Sequence, residues 1–147
     1  MTLAAIGQQL VLHIEASFDP VNFFSYFTNL SNLFAAFTLM ISAFQVPSKT
    51  RGALDTARYL SAVNMTVVGV VFSVLLRNAD LGALLPWVNF VLHYVMPAAI
   101  VVDWLAQPPA ARLDRKFAAA ALVFPAGYLV YVLVRGASIG WYPYPFL

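Results

Sequence analysis

The chain has 147 residues, of which 62% are hydrophobic and 10% are charged, whereas about 25% of the residues in a typical soluble domain are charged. Its formal net charge is +2, which is too small and too dispersed along the chain to favour a nucleic-acid-binding surface. It contains no cysteine, which excludes disulfides, thiolate nucleophiles and iron–sulfur ligation. The composition therefore excludes a soluble globular protein and predicts a single-domain integral membrane protein.

Long apolar stretches predict an all-α fold, a polytopic bundle of transmembrane helices. Each long stretch is close to the ~20 residues that a helix needs to cross a bilayer, and loops rich in Pro, Gly and charged residues separate the stretches. In chain order we predict one short apolar segment and then four spans: 2–14, followed by about 23–46, 57–76, 83–105 and 117–135.

Basic residues concentrate in two predicted loops, 47–58 and 106–116, which lie on the same side of the bundle. These loops hold six of the eight basic residues, namely Lys49, Arg51, Arg58, Arg112, Arg115 and Lys116. By the positive-inside rule this side is cytoplasmic. We therefore predict a multi-pass protein of the cell membrane (inner or plasma membrane) with both loops in the cytoplasm.

Both ends of the chain depart from a regular bundle. Segment 2–14 is shorter than a spanning helix, and the aromatic run at 141–147 ends on apolar residues. We expect from this that the chain is truncated at one or both ends.

The predicted span 23–46 begins with an unusually polar stretch, residues 23–34, which read FFSYFTNLSNLF. Ser25, Thr28, Asn29 and Asn32 follow the i, i+3, i+4, i+7 spacing, so on a continuous helix they share one face. Because polar groups that face lipid without a partner are unfavourable by a few kcal/mol each, this face should point into the bundle. One interpretation of the face is a pocket, and the other is hydrogen bonding between helices, worth ~1 kcal/mol for each residue.

Two other spans carry polar residues that face the same pocket. In residues 86–97, which read PWVNFVLHYVMP, Asn89 and His93 are i, i+4 neighbours, and Asn64 lies in the span before them. His93 is the only ionisable residue deep inside a long span, and such residues are functional candidates by default. The three spans therefore predict one polar pocket around His93.

Other motifs carry less weight. Residues 136–140 match the G-x-S-x-G pattern around Ser138, but they lack the strand–turn–helix context of a nucleophile elbow. The two histidines, His13 and His93, are far apart in the sequence, so we predict no metal site. We also predict no cofactor.

Three stretches, FFSYFTNLSNL, LHYVMPAAIVVDWL and RGASIGWYPYPFL, cover much of the chain in order. Their pattern resembles the bacterial "Pr-six-Pr" integral membrane family. That family resembles the eukaryotic androgen-induced and androgen-dependent membrane proteins, which hydrolyse fatty acid esters of hydroxy fatty acids with a threonine and a histidine. The resemblance implies that Thr28 and His93 are the catalytic pair, and it implies six spans, more than the five segments found here.

The resemblance implies a lipid ester hydrolase in which neutral His93 takes the Thr28 hydroxyl proton as that oxygen attacks an ester carbonyl. Ser25, Asn29, Asn32, Asn64 and Asn89 are the predicted pocket, from which Asn29, Asn32 or Asn89 donates to the oxyanion. The expected partners are membrane lipids and a fatty acyl ester, not a nucleic acid, and the oligomeric state is left open. The alternative is a non-catalytic membrane protein, either a lipid-binding scaffold or a small transporter.

Overall fold

A computed structural model describes residues 1–44, 48–79, 84–108 and 115–147, with side chains from residue 52 in the second range and from residue 118 in the last. Within these ranges every regular element is helical, which confirms the predicted all-α fold. The α-helices are α1 (Thr2–Glu15), α2 (Pro20–Phe24), α3 (Phe27–Ser42), α4 (Ser48–Val71), α5 (Pro86–Phe90), α6 (Met96–Ala106) and α7 (Arg115–Ile139). A π-helical turn, Phe72–Leu76, extends α4, and a second one, Val91–Val95, joins α5 to α6.

Three stretches of helix are long and apolar enough to cross a membrane: Gly52–Leu76, Pro86–Ala106 and Ala118–Ile139. They are compatible with an integral membrane protein. Helix α3 is shorter, with 16 residues, or about 24 Å at 1.5 Å per residue. The sequence predicts a single span over 23–46 in this region, and the structure instead divides it between α2 and α3.

The predicted loop 47–58 is largely helical, because α4 begins at Ser48. The basic side chains of Lys49, Arg51, Arg112, Arg115 and Lys116 lie outside the described residues. Arg58 is described, and it is buried inside the bundle with 6% of its side chain exposed.

Two apolar clusters form the core of the bundle. The first packs α3 against α4 and α6 through residues that include Ala35, Met65 and Ile100. The second packs α1 against α2 and the α5 region, and its centre includes Ile6 and Val88. Helix α7 lies at the edge of the bundle, because only 11% of its apolar stretch is buried. The corresponding fraction is 39% in each of the other two spanning stretches.

The break between α2 and α3 follows from local hydrogen bonding. Asp19 caps α2 by accepting the Val21 N–H at 2.8 Å, and Pro20 occupies the first helical turn, where its missing N–H removes no helix hydrogen bond. Tyr26 is extended, with φ −80° and ψ 126°, and starts α3 afresh. Thr28 therefore lies in the first turn of a helix and not in the middle of a longer one.

At this break, side chains donate hydrogen bonds to backbone carbonyls that have lost their backbone donors. The Asn29 amide donates to the Phe23 carbonyl at 2.8 Å, and the Tyr128 hydroxyl donates to the Ser25 carbonyl at 2.8 Å. Since carbonyls at a helix end have no partner inside the helix, these bonds replace those that the break removes. Much of the polarity of residues 23–34 therefore serves to interrupt the helix.

The π turn before α6 is explained by Pro97. Its pyrrolidine nitrogen carries no proton, so a backbone carbonyl in the preceding turn loses its donor. In the widened turn the Met96 N–H bonds to Val91 O, five residues back, and this leaves Leu92 O free. The Asn32 amide on α3 donates to Leu92 O at 3.1 Å and so ties the two helices together at the widened turn.

Two glycines direct the C-terminal tail, residues 141–147, back onto the bundle. Gly140 has φ +69°, a conformation that favours glycine, and its N–H closes the end of α7 on Gly136 O at 2.8 Å. At Gly136 an added Cβ would lie 2.1 Å from a ring carbon of Tyr142, so only glycine lets that ring pack on the helix. The G-x-S-x-G pattern at 136–140 is therefore explained by the end of a helix and the packing of a tail.

Candidate active site

Thr28 and His93 meet inside the bundle. The Thr28 Oγ1 lies 3.3 Å from His93 Nε2, and each residue is only 7% exposed. Thr28 comes from the first turn of α3 and His93 from the π turn between α5 and α6. This distance is slightly longer than the ~2.6–3.2 Å of a tight catalytic hydrogen bond. Such bonds are often long without substrate and shorten when substrate binds.

The second nitrogen of the ring defines the direction of this contact. His93 Nδ1 lies 3.1 Å from the carbonyl oxygen of Asn89. A carbonyl oxygen only accepts hydrogen bonds, so Nδ1 carries the proton and, in the neutral ring, Nε2 carries the lone pair. The Thr28 hydroxyl therefore donates to Nε2, which is the arrangement that a general base requires.

Phe72 holds the ring from one side. Its ring stacks on the His93 imidazole with centroids 4.0 Å apart and an angle of 22° between the planes. Phe72 is 2% exposed and begins the other π turn, so each stacked ring stands on a widened helical turn. Such turns occur often at functional sites. The sequence does not single out Phe72, because nothing distinguishes one phenylalanine among apolar neighbours.

The tail brings a tyrosine to the same place. The Thr28 N–H donates to the Tyr144 hydroxyl oxygen at 3.3 Å. Burial raises the pKa of the Tyr144 phenol above its usual value, so it stays protonated and keeps a proton to donate. Sequence reasoning missed Tyr144, although the close pair Gly136 and Gly140 before an aromatic tail is a signal for a chain that folds back.

A cavity of about 400 Å³ opens beside the pair. Thr28, His93 and Tyr144 line it, together with polar side chains from α1 and α3, among them His13 and Asn29. His13 Nε2 is held by the backbone carbonyl of Asp19 at 3.0 Å. A volume in this range suits a small-molecule site.

A second cavity, of about 300 Å³, lies on the other side of Thr28. Its walls are almost wholly apolar and include Phe72, Leu129 and Phe146. The two cavities share Thr28, Leu76 and Tyr144. Thr28 therefore borders both a mixed polar cavity and an apolar one.

The predicted pocket residues have different surroundings. Asn29 lines the first cavity. Asn32 is fully buried and uses its amide N–H groups on Thr28 O and Leu92 O, while the Ser25 hydroxyl contacts Val21 O and the Tyr131 hydroxyl.

The other two predicted pocket residues are Asn64 and Asn89. Asn64 is buried in α4 and Asn89 is half-buried in α5, and within the described residues their side-chain oxygens have no hydrogen-bond partner. The backbone of Asn89, and not its side chain, orients His93. Within the described part of the chain, Asn29 is the one predicted pocket residue, other than Thr28 and His93, that lines either of these two cavities.

Ser138 is remote from these cavities. Its hydroxyl is exposed and donates to the Val134 carbonyl of its own helix at 2.8 Å. Among the residues that the structure describes, no three His, Asp or Glu side chains cluster to form a metal site. The chemistry available at the described site is that of a hydroxyl, an imidazole and a phenol.

Comparison with family models, curated proteins and solved structures gives no match for this chain.

Proposed function

We propose that the protein is an intramembrane hydrolase of fatty acyl esters, with Thr28 as nucleophile and His93 as general base. The observation that carries this proposal is the 3.3 Å contact between Thr28 Oγ1 and the lone-pair nitrogen of His93, placed where two cavities meet. A threonine hydroxyl alone is a weak nucleophile at neutral pH, and an adjacent base activates it.

In the first half of the reaction, His93 Nε2 takes the Thr28 hydroxyl proton as Oγ1 attacks the ester carbonyl carbon. The resulting tetrahedral intermediate collapses by breaking the bond to the alcohol oxygen, which leaves with the proton that His93 returns. The product is an acyl-threonine. The Asn89 carbonyl, 3.1 Å from Nδ1, holds the imidazole in the required tautomer and replaces the carboxylate of a triad.

In the second half, His93 takes a proton from a water molecule whose oxygen attacks the acyl-threonine. The bond from the carbonyl carbon to Oγ1 then breaks, Thr28 recovers its proton from His93, and a fatty acid is released. The first cavity reaches both residues and provides the path for that water.

The Tyr144 hydroxyl is the proposed donor to the oxyanion. It already lies beside the nucleophile, 3.3 Å from the Thr28 N–H, and its own proton remains to be donated. The first-turn position of Thr28 adds the positive end of the α3 dipole. Asn29, whose side chain lines the first cavity, is a second candidate donor.

The resemblance to the "Pr-six-Pr" family and to the androgen-induced hydrolases supports the same pair of residues, and membership in that family is part of the proposal. So is the orientation, with loops 47–58 and 106–116 in the cytoplasm and the Thr28 end of the bundle at the opposite face. Because the chain has no cysteine of its own, single cysteines at positions 16 and 110 report sidedness directly. Labelling of position 110 from outside intact cells by an impermeant maleimide would contradict this orientation.

The experiment measures hydrolysis of a panel of fatty acyl esters by the purified protein and by Thr28→Val and His93→Ala variants. We expect kcat/KM to fall by a factor of about 10³ or more in both variants. Thr38→Val is the matched control, because Thr38 is also buried on α3 but bonds to Phe34 O and Ser61. Full activity in Thr28→Val, or no activity of the wild type on any ester, would refute the proposal.

Tyr144→Phe tests the oxyanion donor. Removal of one such donor lowers kcat by roughly 10²–10³ in well-studied enzymes, and we expect a loss in that range with KM little changed. Tyr142→Phe is the control in the same tail, since Tyr142 is 37% exposed and packs through its ring. Equal effects of the two substitutions would show that Tyr144 is not the donor to the oxyanion.

The apolar cavity also favours a second candidate function, a lipid-binding scaffold without catalysis. Within the described residues its walls carry few polar groups, and it opens beside the lipid-facing helix α7. The same ester panel separates the two functions, because a scaffold binds a lipid ester and leaves it intact.

A further inference from the structure

The position of the apolar cavity indicates which part of a substrate it would bind. It lies between α4, α7 and the C-terminal tail, and Val68, Phe72 and Leu129 are among its walls. Leu129 and Phe146 are each 47% exposed, so the cavity opens sideways at the rim that they form. Helix α7 is the least buried of the spanning stretches, and this opening therefore faces the surrounding lipid.

The two catalytic side chains are distributed unequally between the cavities. Thr28 lines both cavities, whereas within the described residues His93 lies on the wall of the first cavity only. Phe72 lines the apolar cavity and stacks on the imidazole at 4.0 Å, so its ring separates His93 from that space. A group in the apolar cavity reaches the nucleophile but not the base.

This asymmetry indicates which cavity would hold the alcohol half of an ester and which would hold the acyl half. The leaving alcohol oxygen must receive the proton that His93 took from Thr28, so the alcohol half must lie on the His93 side, in the first cavity. The acyl half, on the other side of the carbonyl carbon, then extends past Thr28 into the apolar cavity. Its walls are almost wholly apolar, so an acyl chain that leaves the bilayer for this cavity moves from one apolar environment to another.

We infer that the apolar cavity is the acyl-chain site and that the chain enters it from the bilayer between α4 and α7. The inference rests on the proposed function, and it specifies the substrate as an ester with one long apolar acyl chain and a polar alcohol half. The side chains of Gln9, His13 and Asn29 in the first cavity fit the polar half. The volume of about 300 Å³ lies at the lower end of the range for small-molecule sites.

Leu129→Trp places a bulky ring at the opening and tests the assignment through chain length. Because Leu129 lines the proposed site, we expect the ratio of kcat/KM for p-nitrophenyl palmitate to kcat/KM for p-nitrophenyl butyrate to fall by about ten-fold or more. Leu133→Trp is the matched control, because Leu133 is 43% exposed one turn further along α7 and is not part of either cavity wall. Equal loss on both esters, or an unchanged preference in Leu129→Trp with both variants folded, would overturn the inference.

A second measurement does not depend on turnover. A fatty acid with a photoreactive diazirine at the end of its chain should label wild-type peptides from 67–72 and 125–129, and Leu129→Trp should reduce that labelling. Labelling at these positions without ester hydrolysis supports the site while the catalytic proposal fails. Hydrolysis with labelling confined to the walls of the first cavity would overturn the acyl-chain site while the catalytic proposal stands.

Discussion

The two ends of the bundle treat buried polar groups differently. At one end Arg58 donates to the Asp103 side chain and to the Asp103 carbonyl, each at 2.9 Å, and its guanidinium lies 5.9 Å from the Trp104 ring. At the other end Thr28 and His93 contact each other beside two cavities. Asp103 lies ten residues after His93, which is about 15 Å along a helix.

The difference distinguishes a contact that holds helices together from the candidate site. At the Arg58 end the buried charge is paired, as expected for a contact that holds helices together. The Thr28 end combines cavities, two π turns and side-chain oxygens, such as Asn32 Oδ1, that have no hydrogen-bond partner among the described residues. Cavities and buried polar atoms that lack protein partners are typical of sites that a ligand or a reaction uses.

The largest effect on stability should come from Arg58→Met. The substitution leaves Asp103, which is only 17% exposed, without its cation, and loss of one partner of a buried pair typically lowers the free energy of unfolding by about 3–5 kcal/mol. Unfolding of the detergent-solubilised protein measures this change.

The double variant Arg58→Met, Asp103→Leu is the control for that experiment. It removes the unpaired Asp103 charge, so most of the lost stability should return, although Asp55, which lies 3.7 Å from Arg58 in the wild type, still loses its cation. Ester hydrolysis by the folded fraction should be unchanged in both variants. A loss below about 1 kcal/mol in the single variant, the range of a surface pair, would show that the ion pair does not hold this end together.

Gly136→Ala should disturb the other end through the tail. The new methyl group would meet the Tyr142 ring at 2.1 Å, so the ring must move and Tyr144 must move with it. We expect a loss of about 1–3 kcal/mol in unfolding free energy and a fall in ester hydrolysis.

Gly127→Ala on the same helix is the matched control, because nothing lies within 4 Å of the added Cβ. It should leave activity unchanged and stability unchanged or slightly higher, since alanine favours a helix over glycine. If the two glycine variants behave alike, the tail is not held at Gly136 as described.

The smallest effects should distinguish two buried asparagines. Asn32→Leu removes the bonds to Thr28 O and Leu92 O and should lower the unfolding free energy by about 1 kcal/mol. Asn64→Leu removes a buried oxygen that has no hydrogen-bond partner in the described part of the chain, so stability should stay the same or rise. A clear loss of stability in Asn64→Leu would mean that this oxygen is satisfied in the membrane.

The all-α class and the apolar stretches could be predicted from the sequence because a bilayer imposes length and hydropathy on each helix. The regular i, i+3, i+4, i+7 spacing of Ser25 to Asn32 predicts one polar face, but that inference assumes an unbroken helix. The break at Tyr26 places Ser25 in the cap of α2 and Thr28 at the start of α3. A tertiary hydrogen bond from Tyr128 to Ser25 O and a bond from Asn29 back to Phe23 O support the break. The spacing of the polar residues does not indicate either bond.

The proposed catalytic pair and the residues that support it differ in the same way. Thr28 and His93 stand out because polar and ionisable residues are rare in apolar helices. Phe72 and Tyr144 do not stand out, since their roles depend on a π turn and on a tail that folds back. The partners Arg58 and Asp103 are 45 residues apart, and only the packing of α4 on α6 brings them together.

The most direct test of the central claim is to trap the acyl-enzyme. Wild-type protein and the Thr28→Val and Thr38→Val variants would be mixed with an activated palmitoyl ester, quenched in acid, digested and analysed by mass spectrometry. We predict one palmitoyl group on the Thr28 hydroxyl in wild type and in Thr38→Val, and none at position 28 in Thr28→Val. Hydrolysis by the wild type with no acyl group on Thr28, or an equal yield of acylation elsewhere in Thr28→Val, would contradict nucleophilic catalysis by this residue.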